Sequence, residues 1–109
     1  MTTQAFGPRG NTFNISCNES ASVAVKITAD PTPCFTYQFV NEGANKCYFA
    51  YGSDPRISVT IPTPGSPASG VPVLPNEIVI YRLNPNVYIT AICESGQTTN
   101  LLVTPGEGM

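Results

Sequence analysis

The sequence predicts an all-β protein, an antiparallel β-sandwich of about eight strands with no significant helix. Two observations carry that prediction. No long segment repeats apolar residues at helical spacing, and eleven prolines and nine glycines punctuate the 109 residues. What remains is a series of short runs rich in Val, Ile, Thr, Tyr and Phe, separated by turn-formers at the spacing of a sandwich or barrel. The length suits one domain over residues 1–109, with too little chain for a second core.

Residues 1–11, MTTQAFGPRGN, lack core patterning and read as an extended N-terminal arm. Strands are predicted over 12–17, 22–28, 34–40, 46–51, 56–61, 77–83, 87–93 and 98–104. In CFTYQFVNEGANKCYFAYG, residues 34–52, Phe35, Tyr37 and Phe39 alternate with Thr36 and Gln38, and Tyr48 and Ala50 alternate against Cys47, Phe49 and Tyr51. The intervening Asn41-Glu42-Gly43-Ala44-Asn45 is a short glycine-containing turn-former, which predicts a hairpin. The aromatics are expected in core and interface packing, because the cationic groove of a base-stacking platform is missing.

A second hairpin is expected over 87–104. A loop of Glu94, Ser95 and Gly96 places Gly96 in the left-handed conformation and sets Cys93 opposite Gln97. Val87 then faces Val103, Ile89 faces Leu101 and Ala91 faces Thr99, so one face is apolar. A two-residue loop would mix polar and apolar groups on both faces, which favours the first register. The opposite face still carries Tyr88, Ile92 and Leu102, more than a solvated face requires, and is expected to lie under another sheet or another subunit. Pro105 is expected to stop the ladder and leave 105–109 as a C-terminal tail.

Residues 61–76 form a Pro-rich loop, containing Pro62, Pro64, Pro67, Pro72 and Pro75, two glycines and no charged residue. Loops of this length are functional or disordered. A stiff, extended segment suits draping over a neighbouring surface; the alternative is a flexible exposed loop.

Catalytic residue types are sparse. With no His, neither a Ser-His or Cys-His nucleophile pair nor a histidine metal site can be built. Most of the seven carboxylates adjoin turn residues, where solvation rather than pKa tuning is expected, and neither phosphate-binding glycine pattern occurs. The expectation is a non-enzymatic protein with no cofactor and no metal. The five cations Arg9, Lys26, Lys46, Arg56 and Arg82 are scattered and the net charge is −2, which argues against nucleic acid as a partner. The N-terminus lacks the regions of a secretory signal, and no stretch reaches the roughly 20 apolar residues of a membrane span, so no membrane partner is expected. Cys17, Cys34, Cys47 and Cys93 show no C-x-x-C spacing, and a reducing cytosol favours free buried thiols over two bridges. Charged residues are 11% of the chain, which gives weak colloidal repulsion and fits a protein that lives in an assembly.

The closing string VYITAICESGQTTNLLVTPGEGM resembles the ending of a group of small virion proteins from tailed bacteriophages. In that group an aromatic-Ile-Ala-Ala-Ile strand leads through a Gly turn to a Leu-x-Val/Ile-Thr-Pro-Gly-Glu/Asp-Gly terminus. FVNEGANKCYFAYG is similar to the group's strand-turn-strand, and VPVLPNEIVIYRLNPN to the segment that leads into its penultimate strands. The resemblance covers roughly residues 34–108. The sequence departs from the pattern at Cys34, Cys47 and Cys93, where Val, Ala or Ser is expected.

The resemblance implies a head decoration, or capsid cement, protein with a sandwich or jelly-roll-like core. Such a protein is made in the host cytoplasm and sits on the outer capsid surface of the virion, where it bridges major capsid protein subunits. A homo-oligomer, dimer or trimer, is expected with it. Contact residues are then sought where core patterning is absent or apolar residues are in surplus: Phe6, Pro8 and Arg9 in the arm; Pro62, Pro64, Pro67, Pro72 and Pro75 in the loop; Tyr88 and Leu102 on the outer face; and Thr104 and Glu107 near the end. The alternative is a receptor- or glycan-binding module of a phage head or tail fibre, with Tyr81 and Tyr88 stacking on sugar rings.

Overall fold

The structure, a computed structural model, describes residues 7–22, 24–27, 35–85 and 87–107. Among these residues there are nine strands and no helix: β1 (Gly7–Pro8), β2 (Phe13–Cys17), β3 (Val25–Lys26), β4 (Thr36–Asn41), β5 (Cys47–Gly52), β6 (Val71–Val73), β7 (Ile78–Arg82), β8 (Tyr88–Cys93) and β9 (Thr99–Glu107). They form two antiparallel sheets. In the first, β9 pairs with β1 and β2 on one side and with β4 on the other, and β4 pairs in turn with β7. The second has the order β3-β8-β5-β6. The all-β sandwich predicted from the sequence is the observed fold class.

Inward side chains follow the strand alternation. Ile15, Tyr37, Phe39, Leu101 and Val103 of the first sheet meet Phe49, Val73, Ile89 and Ala91 of the second in one buried cluster. The stacked rings of Phe39 and Phe49, 4.3 Å apart, join the two sheets directly. Burying side chains of this size contributes roughly 1.5–3 kcal/mol each, so this interior is the main source of cohesion.

Both predicted hairpins are corrected. β4 and β5 lie in different sheets, as do β8 and β9, so each connection arches over the interior instead of folding back within one sheet. Gly96 does adopt the expected left-handed conformation, with φ of 76°, and Gln97 N–H donates to Glu94 O across the turn at 3.0 Å. The inward faces are also as expected: Val87, Ile89, Ala91, Leu101 and Val103 are all buried. They meet across the interior and not side by side, because an arch and a hairpin leave the same alternation in the sequence.

The end of the chain is a second correction. β9 continues through Pro105 and Gly106 to Glu107, with Tyr37 opposite Pro105 and Thr36 opposite Gly106. Pro105 accepts a bond from Arg9 N–H at 2.8 Å, so its backbone polar atoms face the N-terminal chain and not β4. Its missing donor costs the β4–β9 ladder nothing. On the N-terminal side, Pro8 lies opposite Gly106 and Phe13 opposite Val103, so five steps along one strand match three along the other, and the loosened chain at Arg9–Thr12 receives the proline. Gly108 and Met109 lie outside the described residues.

The predicted strand at 56–61 is not a strand. Ile57, Val59 and Ile61 turn inward while Ser58 and Thr60 are exposed, but the backbone bonds to the loop that follows: Gly70 N–H donates to Thr60 O at 2.8 Å and Ser69 Oγ donates to Ser58 O at 3.2 Å. The Pro-rich loop is likewise ordered. Thr63 and Ser66 bridge around Pro64 and Gly65, and Val71–Val73 adds to the second sheet as β6. Gly70 is required there, since a Cβ would come within 2.6 Å of Thr60 O.

Candidate functional site

The two outer faces of the sandwich are treated differently by the chain itself. Over the second sheet, Tyr48 and Ala50 of β5 and Ile92 of β8 are covered by Val59 and Ile61. The surplus apolar surface at Ile92, expected to lie under another sheet or another subunit, is closed by the chain's own loop. No comparable cluster covers the first sheet among the described residues. There the register aligns Ile78, Val40 and Leu102 in one row and sets Ile80 beside Gln38 and Thr104 in the next. Ile78 is 62% exposed and Val40, Ile80 and Leu102 are half-buried, so an apolar stripe crosses three strands of an open face.

The predicted contact residues divide between these faces. Pairing of β1 with β9 brings Pro8, Arg9, Thr104 and Glu107 together: Arg9 and Glu107 form an ion pair at 2.9 Å, and the Thr12 and Thr104 hydroxyls meet at 2.8 Å. Thr104 is buried, with 8% of its surface exposed. Leu102 belongs to the same sheet and lies on the apolar stripe. Pro62, Pro64 and Pro67 belong to the loop and Pro72 to β6 on the second sheet, while Pro75 lies in the turn from β6 to β7. Tyr88 begins β8 there, opposite Lys26 and Gly52. Phe6 lies outside the described residues.

A second feature opens at one end of the sandwich. Phe35, Tyr51, Arg82, Leu83 and Asn84 line a cleft of about 320 Å³. A neighbouring hollow of about 270 Å³ is lined by Tyr51, Gly52, Ser53, Asn84, Pro85 and Val87, so Tyr51 and Asn84 line both. Phe35 and Tyr51 are 47% and 51% exposed, and the Arg82 guanidinium lies 5.5 Å from the Phe35 ring centre. The core anchors this cleft: the Tyr37 hydroxyl donates to Asn84 O at 2.9 Å, and Ile57 packs so closely on Gly52 that a Cβ would meet it at 2.6 Å.

Sequence reasoning placed sugar stacking on Tyr81 and Tyr88 instead. Tyr81 is engaged with the core, edge-on to Phe39 and Phe49 with 5.5 Å between ring centres in each case, and burial raises the pKa of its phenol. Phe35 and Tyr51 share the inward parity of their strands but project past the end of the core. The available signal was their position as outermost aromatics of two runs, beside Pro33-Cys34 and Gly52-Ser53.

Among the described residues, Glu19, Asp54, Glu77, Glu94 and Glu107 hold local structure. Asp54 pairs with Arg56 at 3.0 Å, and that guanidinium holds its carboxyl below the ordinary range. Glu19 accepts from Gly96 N–H, and Glu77 from Leu74 N–H. Among the described residues the cleft lining contains no carboxylate. Cys17, Cys47 and Cys93 are free and buried, with Cys47 opposite Cys93 between β5 and β8. The hydrogen bond to Cys47, then burial, push the Cys17 thiol far up; burial, then Cys17, push Cys93 up to about 11. Cys34 lies outside the described residues. Among the described residues no group of three or more His, Cys, Asp or Glu is arranged to hold a metal ion, and no helix is long and apolar enough to cross a membrane. In comparisons with protein families, curated proteins and solved structures, no match to this chain is found.

Proposed function

We propose that this chain is a non-enzymatic structural protein of a bacteriophage virion that decorates the capsid shell and cements neighbouring major capsid protein subunits. The observation that carries the reading is the asymmetry of the two outer faces. One is sealed by the chain's own loop, and the other presents Val40, Leu102, Ile78 and Ile80 as an apolar stripe on a rigid sheet. Repetition of a modest contact over a shell supplies avidity without a deep site. The strand order β2-β9-β4-β7 against β3-β8-β5-β6, in which every connection from β2 to β9 except β5 to β6 crosses between sheets, supports a jelly-roll type of sandwich. The test is addition of purified protein to expanded heads that lack it. Heads should bind it at micromolar concentration and gain resistance to heat, and Leu102→Asp should abolish both effects. Failure of the unmodified protein to bind would overturn the reading.

The cleft of Phe35, Tyr51, Arg82 and Asn84 favours a second reading, a glycan-binding module. Exposed rings beside a guanidinium and an amide offer apolar faces and planar donors to a sugar. Saccharide-induced shifts at Tyr51, lost in Tyr51→Ala, would support it; binding unchanged by that substitution would sink it.

A further inference from the structure

The four edges of the two sheets are not equivalent. β3 has two residues and ends in Lys26, and β6 has three with Pro72 at its centre. The edge formed by β1 and β2 is interrupted between Pro8 and Phe13. Short strands, a charge, a proline and an irregularity are the devices by which sheet edges avoid pairing with other chains. β7 is longer than the other uninterrupted edges, has neither a proline nor an irregularity, and carries a charge only at its last residue, Arg82. Its five residues, Ile-Val-Ile-Tyr-Arg, run in unbroken register beside β4, from Ile78 opposite Val40 to Arg82 opposite Thr36.

Backbone bonds identify what this edge leaves open. Asn41 N–H donates to Glu77 O and Leu83 N–H donates to Phe35 O, so residues 77, 79, 81 and 83 direct their polar groups to β4. Ile78, Ile80 and Arg82 therefore direct theirs away from the sheet. Their side chains lie on the outer face with the apolar stripe, while Val79 and Tyr81 pack on the core.

We infer that β7 pairs with β7 of a second copy of this chain, antiparallel about a twofold axis through Ile80, to make a dimer with one continuous sheet. The open groups are centred on Ile80 and are self-complementary. Ile80 pairs with its own copy and Ile78 with Arg82, so the three outward N–H groups of each copy find carbonyls, six bonds in all. Charge selects the same arrangement. Arg82 ends the strand and Glu77 precedes it, so antiparallel pairing places unlike charges near each end and no like charges face each other. Among the described residues Arg82 makes no ion pair and is exposed. The dimer also joins the two stripes, with Ile78 and Ile80 of both copies adjacent. This inference stands on the fold alone and holds for either functional reading.

Sedimentation of the full chain and amide hydrogen exchange test it together. The unmodified chain should be a dimer at micromolar concentration, and the amides of Ile78, Ile80 and Arg82 should become protected as concentration rises. Ile80→Lys, which sets two like charges on the axis, should weaken association on the order of a hundredfold or more. It should leave protection at Val79 and Tyr81 unchanged, which shows that the variant is folded. A second variant, Ile80→Pro, adds no charge, removes the outward N–H on the axis along with the isoleucine side chain, and should also dissociate the dimer. A chain that stays monomeric, a dimer that survives both substitutions, or outward amides protected only when a different protein is added would overturn the inference.

Discussion

Replacing Asn41 with alanine tests how the arch between β4 and β5 is held. Asn41 is fully buried and ties five groups: Nδ2 donates to Asn45 O and Val73 O at 2.9 Å each, Oδ1 accepts from the Thr99 hydroxyl at 2.6 Å, and the backbone bonds Glu77 O and Asn76 N at 3.0 Å each. Asn41→Ala removes the three side-chain bonds and strands Val73 O and the Thr99 hydroxyl away from water. Each stranded buried group costs about 1–3 kcal/mol, and Asn45 O, near the surface, costs less. The expected destabilisation is therefore about 4 kcal/mol, a large part of the roughly 5–15 kcal/mol that holds a domain. At the low end of about 4 °C per kcal/mol, the melting temperature falls by about 16 °C. Thermal melts followed by circular dichroism read this directly. Asn41→Asp keeps the acceptor for Thr99 but buries a carboxylate and loses both donors, so its deficit should be larger at neutral pH and shrink as the pH is lowered toward 4. A fall of less than about 5 °C for the alanine variant, or a pH-independent deficit for the aspartate, would refute the reasoning.

Three further outcomes are expected. Gly70→Ala drives a methyl group against Thr60 O and Tyr48, so it should lift the loop from the second sheet, cost about 2 kcal/mol and speed exchange at the Gly70 amide; unchanged exchange would refute this. Cys93 is raised from 9.0 to about 11, so its burial contributes fully below pH 9; between pH 9 and 11 the unfolded chain releases a proton that the folded chain keeps, and stability falls as pH rises. Melts across that interval should show the fall, and Cys93→Ala should reduce it, the remainder coming from Cys17 and Tyr81, which are also raised. Peptides carrying Cys17, Cys47 and Cys93 should escape alkylation in the folded protein and react in denaturant; labelling under native conditions would contradict the buried triad.

Alternation is a local property, and it was legible. The inward residues of β4, β8 and β9 could be named because each strand announces its own faces. Sheet membership is not local. The 41–45 and 94–96 segments turn the chain sharply in either case, and no residue within them distinguishes a hairpin from an arch. β6 was hidden by Pro72, which is tolerated because the strand is an edge. The run 56–61 looked like a strand because apolar side chains alternate over any flat apolar surface, with or without a ladder. The aromatic cleft was hidden because Phe35 and Tyr51 obey core parity and differ from core residues only in lying past its end. The apolar stripe joins Leu102 to Val40 and Ile78, residues from three separated runs that only the register brings together.

The central place of β9 has a consequence for how the protein is made. Its neighbours β1, β2 and β4 all precede it along the chain, so the ribosome completes the four other strands of the first sheet before the one that pairs with three of them exists. Until residues 99–107 emerge, β2 has lost its only ladder partner and β4 has one of two. Folding of that sheet waits on contacts spanning most of the chain, the kind that form slowly and leave unpaired edges exposed meanwhile. Chaperone dependence and aggregation of nascent chains should therefore be decided by the arrival of this last strand.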